Sequence, residues 1–296
     1  MGQDLLNVLV VGSIYTLFAL GLTLSWGVLN VLNLAHGAIF MFAGIVGYLV
    51  TKNQPLSLWI VLPIAMVAAG LIAVALELIA YMPIRRRSAD VHAGELSTMI
   101  ASIAAASALV ALAEVISKNQ IVGVNPDTYD VTATHIFGLR ITNLEIVIIV
   151  MAFVLSTALA LFVARSRHGR ALRALAEDPY ACGLFGISPA RMSIATMFVS
   201  GALAGCAGLL LAVQQSGVDP RSGDPFLLKA FAVIILGGVG SVPGAIISAF
   251  ILAFAEVMTQ VHISGSYTDG VAFALIIILL LVRPQGLFPQ TAWKRA

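Results

Sequence analysis

Long apolar runs, separated by short polar or glycine-rich stretches, set the rhythm of this chain. They fall near residues 5–25, 28–51, 58–82, 96–117, 144–164, 191–214, 226–240 and 243–262, with a final run near 267–282. Most approach the roughly 20 residues of helix that the hydrocarbon core of a bilayer requires. A water-facing helix would return to polar residues every three or four positions, and these runs do not. The pattern predicts an all-α fold: a polytopic transmembrane helical bundle forming a single transmembrane domain over residues 1–296.

Composition agrees. The 296 residues are 60% hydrophobic and 10% charged, against about 25% charged in soluble domains. So apolar a chain needs lipid as its solvent. The net charge of +2 does not point to nucleic acid, because the basic residues stand in short clusters between apolar runs. Before Lys52 the only charge is Asp4. With no basic leader, the first run is expected to be a retained span rather than a signal peptide. Cys182 and Cys206 have neither metal-ligand spacing nor a disulfide framework and read as small packing residues.

The arginines and lysines thread the bundle. Arg85–Arg87, then Arg165, Arg167, Arg170, Arg173 and Arg191, then Arg283, Lys294 and Arg295 make eleven; Lys52, Lys118, Arg140, Arg221 and Lys229 make five. The richer set belongs in the cytoplasm, which places the N-terminus outside and the C-terminus inside. Two threadings satisfy this: nine full spans, or seven with 226–262 re-entrant.

Two stretches look alike and predict broken helices: Asn30-Val-Leu-Asn33-Leu-Ala-His36-Gly37-Ala38-Ile39 and Leu236-Gly237-Gly238-Val-Gly240-Ser241-Val-Pro243-Gly244-Ala245-Ile246. Transporters build sites from discontinuous helices in paired positions, so an internal repeat is expected. Asn30, Asn33, His36, Gly37, Gly237, Gly238, Gly240 and Ser241 are accordingly candidates for a translocation pathway. Asn30, Asn33 and His36 either line such a pathway or satisfy backbone exposed near Gly37. Gly201, Gly205 and Gly208 read instead as helix-packing glycines. Among the charges, Glu77 reads as a snorkelling group within reach of Arg85, and Glu114 as an i, i+4 partner of Lys118. Glu256 is an isolated, lesser pathway candidate, and Gln214 and Gln215 are interfacial.

Residues 169–189 have a different character. Residues 170–177 favour helix. Asp178-Pro179 then reads as an N-cap with proline at the first helical position, and Ser188-Pro189 repeats that signal. The expected product is a folded cytoplasmic elbow, basic at Arg170 and Arg173, acidic at Glu177 and Asp178, and apolar at Leu184, Phe185 and Ile187. Such a build suits a handle gripped by a partner, although a folded loop that shields helix ends would read the same way.

This elbow, Asn33-Leu-Ala-His36-Gly37, Gly201-Ala-Leu-Ala-Gly205-Cys-Ala-Gly208, Gly237-Gly238-Val-Gly240-Ser241 and Arg283-Pro284-Gln285-Gly286-Leu287-Phe288 together resemble the branched-chain amino-acid ABC transporter permease family, most closely its Liv-H-like subunit. Urea and short-chain amide permeases share the pattern. The resemblance implies a multi-pass permease of the bacterial inner membrane that pairs with a second homologous permease subunit. It further implies two cytoplasmic ATPase subunits below and a periplasmic substrate-binding protein above. Arg170, Arg173, Glu177, Asp178, Pro179, Leu184, Phe185 and Gly186 would form the ATPase-coupling loop. Ala38 departs from the family, where an acidic residue often follows His-Gly.

The chain has no Gly-Lys dipeptide and therefore no P-loop. No cofactor is expected on it, and ATP would be hydrolysed by the partner subunits. The expected mechanism is alternating access around a cavity near His36 and Gly237–Gly244. An ion-coupled secondary transporter is the rival reading. An intramembrane hydrolase ranks far lower, since neither His-Glu-x-x-His nor Gly-x-Ser-x-Gly occurs.

Overall fold

A computed structural model describes residues 1–288 except Val31, Ala89, Phe137 and Pro284. Lys294 and Arg295, and Pro284 of the C-terminal motif, lie outside the described residues. Among the described residues, six helical stretches are long and apolar enough to cross a membrane: Gly2–Leu29, Leu58–Arg87, His92–Ser117, Asn143–Arg165, Pro189–Gln214 and Val242–His262.

In chain order the helices are α1 (Gly2–Leu29), α2 (His36–Thr51), α3 (Leu58–Leu76), α4 (Met82–Arg87), α5 (Val91–Ser117), α6 (Asn143–Arg165), α7 (Arg167–Glu177), α8 (Pro179–Leu184), α9 (Pro189–Gln214), α10 (Gly223–Gly237), α11 (Val242–His262) and α12 (Thr268–Val282). A π-helical turn over Glu77–Tyr81 joins α3 to α4. Between α5 and α6 the chain forms a small antiparallel hairpin, β1 (Ala133–Ile136) and β2 (Leu139–Thr142).

All nine apolar runs are helical, but they are not equal. At 1.5 Å per residue, the 16 residues of α2 and the 15 of α10 reach about 24 Å, short of a core about 30 Å thick. The second run does not start at residue 28, because Asn30 adopts a left-handed conformation (φ 51°) that ends α1. The chain then doubles back, and α2 begins beside Phe18 and Gly21, well inside the bundle. The second break, Gly238–Ser241, separates α10 from α11. Discontinuous helices are therefore present. The flanks of the two breaks differ, 28 and 16 residues against 15 and 21, so they do not by themselves establish the expected repeat.

The core forms around α1, whose side is buried almost continuously from Val10 to Ser25 by α11, α9, α6 and α10. Small residues set the closest helix pair. A Cβ on Gly201 or Gly205 of α9 would strike Ala69 and Ala65 of α3, and one on Gly208 would strike the Phe40 carbonyl of α2. Small residues let backbones approach where no hydrophobic effect drives helices together, which is the packing role the sequence assigns them. The outer faces are apolar: Ile100, Val115 and Phe153 are exposed, as lipid contact demands.

The threading gives the bundle two distinct ends. At one, Arg85 bonds Ser193, Asn30 shares a groove with Arg86, Leu175 and Pro179, and Gly27 meets Gly240. At the other, Gln3 bonds Arg140, Asn125 bonds Thr51, and Val122 pairs with Val218. We refer to these as the arginine-rich end and the opposite end.

Candidate functional site

The first broken stretch ends in a polar spine. Asn33 is fully buried; its Oδ1 accepts 2.8 Å from the Tyr81 hydroxyl and 3.1 Å from the Ala35 amide. His36, also fully buried, lies 3.1 Å by Nε2 from the Phe18 carbonyl and stacks on the Phe18 ring at 4.9 Å. A carbonyl can only accept, so Nε2 carries the proton; Nδ1 has no partner among the described residues. Gly37 meets the carbonyl of Gly223, so the starts of α2 and α10 touch backbone to backbone. Asn30 alone of this set faces an open groove.

A buried ion pair extends the spine towards the arginine-rich end. Glu77 departs from the sequence-based expectation of a snorkelling surface group: it is fully buried. It pairs with Arg85, as its position suggested, and its Oε1 also accepts 2.5 Å from Ser193. The π turn that starts at Glu77 belongs to the same place; such turns widen a helix locally and recur at functional sites. Glu114 is also corrected. It pairs with Arg221 at 2.9 Å, because Lys118 takes a left-handed conformation at the end of α5.

The second broken stretch is a tight corner. Gly237 and Gly244 pack on each other, Gly240 lies against Gly27, and Gly238 (φ 94°) lies against the Phe288 carbonyl. Ser241 caps α11, accepting 3.1 Å from the Gly244 amide. Leu287 and Phe288 donate backbone hydrogen bonds to Leu236 and Gly237, so the C-terminal motif seals this corner.

The elbow has the predicted construction. Ser166, Asp178 and Ser188 each cap the helix that follows: α7 through Gly169, α8 through Tyr180 and Ala181, and α9 through Arg191. Leu172, Leu175 and Cys182 turn inward, whereas Tyr180, Leu184 and Phe185 are 79%, 73% and 85% exposed. Arg170, Arg173, Glu177 and Asp178 are exposed along its length, and Arg173 also bonds the Val163 carbonyl. Pro179 opens α8, and Gly186 (φ 78°) ends the turn with open space where a Cβ would stand.

The structure also assembles a group that the apolar-run reading does not. Glu256 of α11 is 5% exposed. Its Oε2 accepts 2.5 Å from Tyr15 of α1 and 3.2 Å from Lys229 of α10. Lys229 Nζ lies 3.1 Å from the Tyr15 oxygen and 3.5 Å from Asp269 of α12. Glu256 is therefore not isolated, since Lys229 reaches it from α10. A signal was available: a carboxylate inside one apolar run calls for a partner, and Lys229 is the lysine inside another. Tyr15, Lys229 and Glu256 line a cavity of about 460 Å3 together with Gln214, Gln215 and Gln260, so the two interfacial glutamines stand at its rim. A larger groove, about 630 Å3, lies at the arginine-rich end between Asn30, Arg85 and the elbow. Neither space is lined by His36 or by Gly237–Gly244.

Interrupted helices, buried ion pairs inside apolar helices and a folded appendage at one end define a multi-pass membrane protein of the transporter kind. Comparison narrows the class. Residues 4–280 match the family described as "Branched-chain amino acid transport system / permease component", and the chain belongs to that family. It is 33% identical to the high-affinity branched-chain amino acid transport system permease protein LivH of Escherichia coli, over 96% of this chain and 94% of that one. It is 31% identical to BraD of Pseudomonas aeruginosa over 96% and 94%, and 27% identical to LivM of Escherichia coli over 94% and 68%. No solved structure matches it.

Proposed function

We propose that this chain is a permease subunit of an ATP-driven importer for branched-chain amino acids or related small amides. It pairs with a second, related permease, takes substrate from a periplasmic binding protein and is driven through alternating access by two cytoplasmic ATPases. The chain itself binds no cofactor. The observation that carries this reading is the elbow, whose three capped helix starts hold Leu184 and Phe185 out into solvent beside the groove at Arg85 and Arg86. Exposed apolar side chains on a rigid mount are the usual core of a docking surface.

The arginine-rich end is taken as cytoplasmic on the positive-inside rule, which puts the C-terminus there too. The likeness to two differently named permeases of one organism, LivH and LivM, supports pairing with a related second permease. Asn33, His36, Gly37 and Gly237–Ser241 are proposed to serve the pathway as a hinge frame rather than as its lining, since their side chains and backbones are spent on helix breaks, whereas Asn30 faces the groove at the arginine-rich end.

Co-reconstitution in proteoliposomes with the partner subunits tests the reading. Uptake of radiolabelled L-leucine should require ATP inside the vesicle. Leu184→Ser with Phe185→Ser should abolish ATPase co-purification while leaving the melting temperature of the chain unchanged. Uptake by the isolated chain on a proton or sodium gradient would overturn the reading in favour of a secondary transporter.

A further inference from the structure

The apolar stretch Leu58–Arg87 is a single helical run built in two halves with different neighbours. Gly201 and Gly205 of α9 hold the α3 half close against Ala69 and Ala65, whereas the α4 half packs on α5. Between the halves stands the π turn, where the Met82 amide donates to the Glu77 carbonyl, five residues back rather than four. Its cause is local. Pro83 has no amide to donate, and in an unbroken α-helix its ring would strike the Ile79 carbonyl; an extra residue in the preceding turn opens that crowding. Both end residues of the turn reach out of it to hold other elements. Glu77, the first, pairs with Arg85 and accepts 2.5 Å from the Ser193 hydroxyl, near the start of α9 and directly after the elbow. Tyr81, the last, is fully buried and donates 2.8 Å to Asn33, inside the first helix break. Ser102 of α5 holds the same break, accepting 3.0 Å from the Leu34 amide. The elbow and the break therefore meet at the two ends of one π turn.

From this arrangement we infer that the π turn is the joint through which movement of the elbow reaches the first broken stretch, with Ser193 and Tyr81 as positioning residues at its two ends. The inference rests on the importer reading above and deepens it, naming residues that couple ATP hydrolysis to transport. A π turn has a discrete alternative. Restoring α geometry turns the α4 half against the α3 half by one residue, about 100° at 3.6 residues per turn. Tyr81 then leaves Asn33, and Arg85 leaves Glu77. Two arrangements with different bonds are what coupling between distant sites requires. When the elbow tilts α9, Ser193 leaves Glu77, the turn loses its hold at one end, and the break at Asn33 is released at the other. Glu77, Tyr81 and Asn33 are all fully buried, so a bond lost there is not replaced by one to water.

The test measures ATP hydrolysis and L-leucine uptake side by side in proteoliposomes holding the full transporter. Tyr81→Phe and Ser193→Ala each delete one hydroxyl and leave every charge in place. Each should hydrolyse ATP within about twofold of the unsubstituted rate, while uptake per ATP falls about tenfold, the scale of one buried hydrogen bond. Because the two hydroxyls act in series, the double variant should fall no further than the worse single one. Thr51→Val deletes a fully buried hydroxyl bonded to the Asn125 amide at the opposite end and should leave uptake per ATP unchanged. Unchanged uptake per ATP in either single variant, losses that multiply in the double, or an equal loss in Thr51→Val each overturns the joint. Hydrogen exchange on the unsubstituted transporter stands even if a variant fails to fold. Trapping with ATP and vanadate should alter exchange over residues 77–82 and 33–36 together with the elbow; a change confined to the elbow overturns the joint as well. Uptake that needs no ATP sinks the importer reading, whereas ATP-driven uptake with coupling intact in the variants sinks the joint alone.

Discussion

Arg85 ion-pairs with Glu77 two turns earlier on the same apolar stretch, across a π turn, with the carboxylate wholly buried. Ser193 of α9 donates to the same carboxylate oxygen, so the pair also pins α9 to the α3–α4 unit. Removing one member leaves a charge with no water to take it. Arg85→Ala should therefore destabilise the chain by about 3–5 kcal/mol, while Glu77→Leu combined with Arg85→Met should recover most of that loss. Unfolding titrations in mixed micelles, followed by circular dichroism, measure both. Equal losses in the single and double variants would show that the pair is not the source.

The pair between Arg221 and Glu114 spans 2.9 Å, but Arg221 is 74% exposed. Screening and side-chain entropy leave such pairs at about 0–1 kcal/mol. Glu114→Gln should shift the same unfolding titration within that margin. A loss as large as that of Arg85→Ala would mean this end is buried in an assembly.

Gly37 and Gly183 make a matched pair of opposite sign. A methyl on Gly37 would strike the Gly223 carbonyl, whereas nothing lies within 4 Å of one on Gly183. Gly37→Ala should destabilise by about 1–3 kcal/mol through overpacking, seen as a lowered melting temperature and membrane abundance. Gly183→Ala should be neutral, or stabilising by up to about 1 kcal/mol through helix propensity.

Asp178 accepts from both Tyr180 and Ala181 at the start of α8. Asp178→Ala should weaken that short helix by about 1 kcal/mol, and Asp178→Asn should retain it. Hydrogen exchange should rise over residues 179–184 in the alanine variant and stay unchanged in α9. ATP-driven uptake should fall in parallel. If exchange rises while uptake is unaffected, the elbow does not transmit force.

Much of the molecule was legible in the chain because its causes are local. Nine apolar runs are nine helical segments, since a backbone in lipid must satisfy its own hydrogen bonds within each segment. The Asp178 and Ser188 caps depend on residues no more than three positions away, so the elbow could be read from spacing. Gly201, Gly205 and Gly208 announced close packing for the same reason. Helix length was less legible: the polar stretch from Asn30 to His36 predicted a break, but not that the chain would turn back there so that α2 starts beside Phe18.

What sequence alone determined was the solvent, the helices, the grouping of the arginines and the elbow. What only tertiary structure decided was which charges meet. Tyr15 and Glu256 are 241 positions apart, and Lys229 and Tyr15 are 214 apart; Glu77 finds Ser193 across 116. Hydropathy along one strand of chain reports whether a segment enters the bilayer, but the pairing of buried charges depends on the rotation and depth at which separate helices pack. That information is distributed over every contact in the bundle, and it appears only when the helices are set side by side.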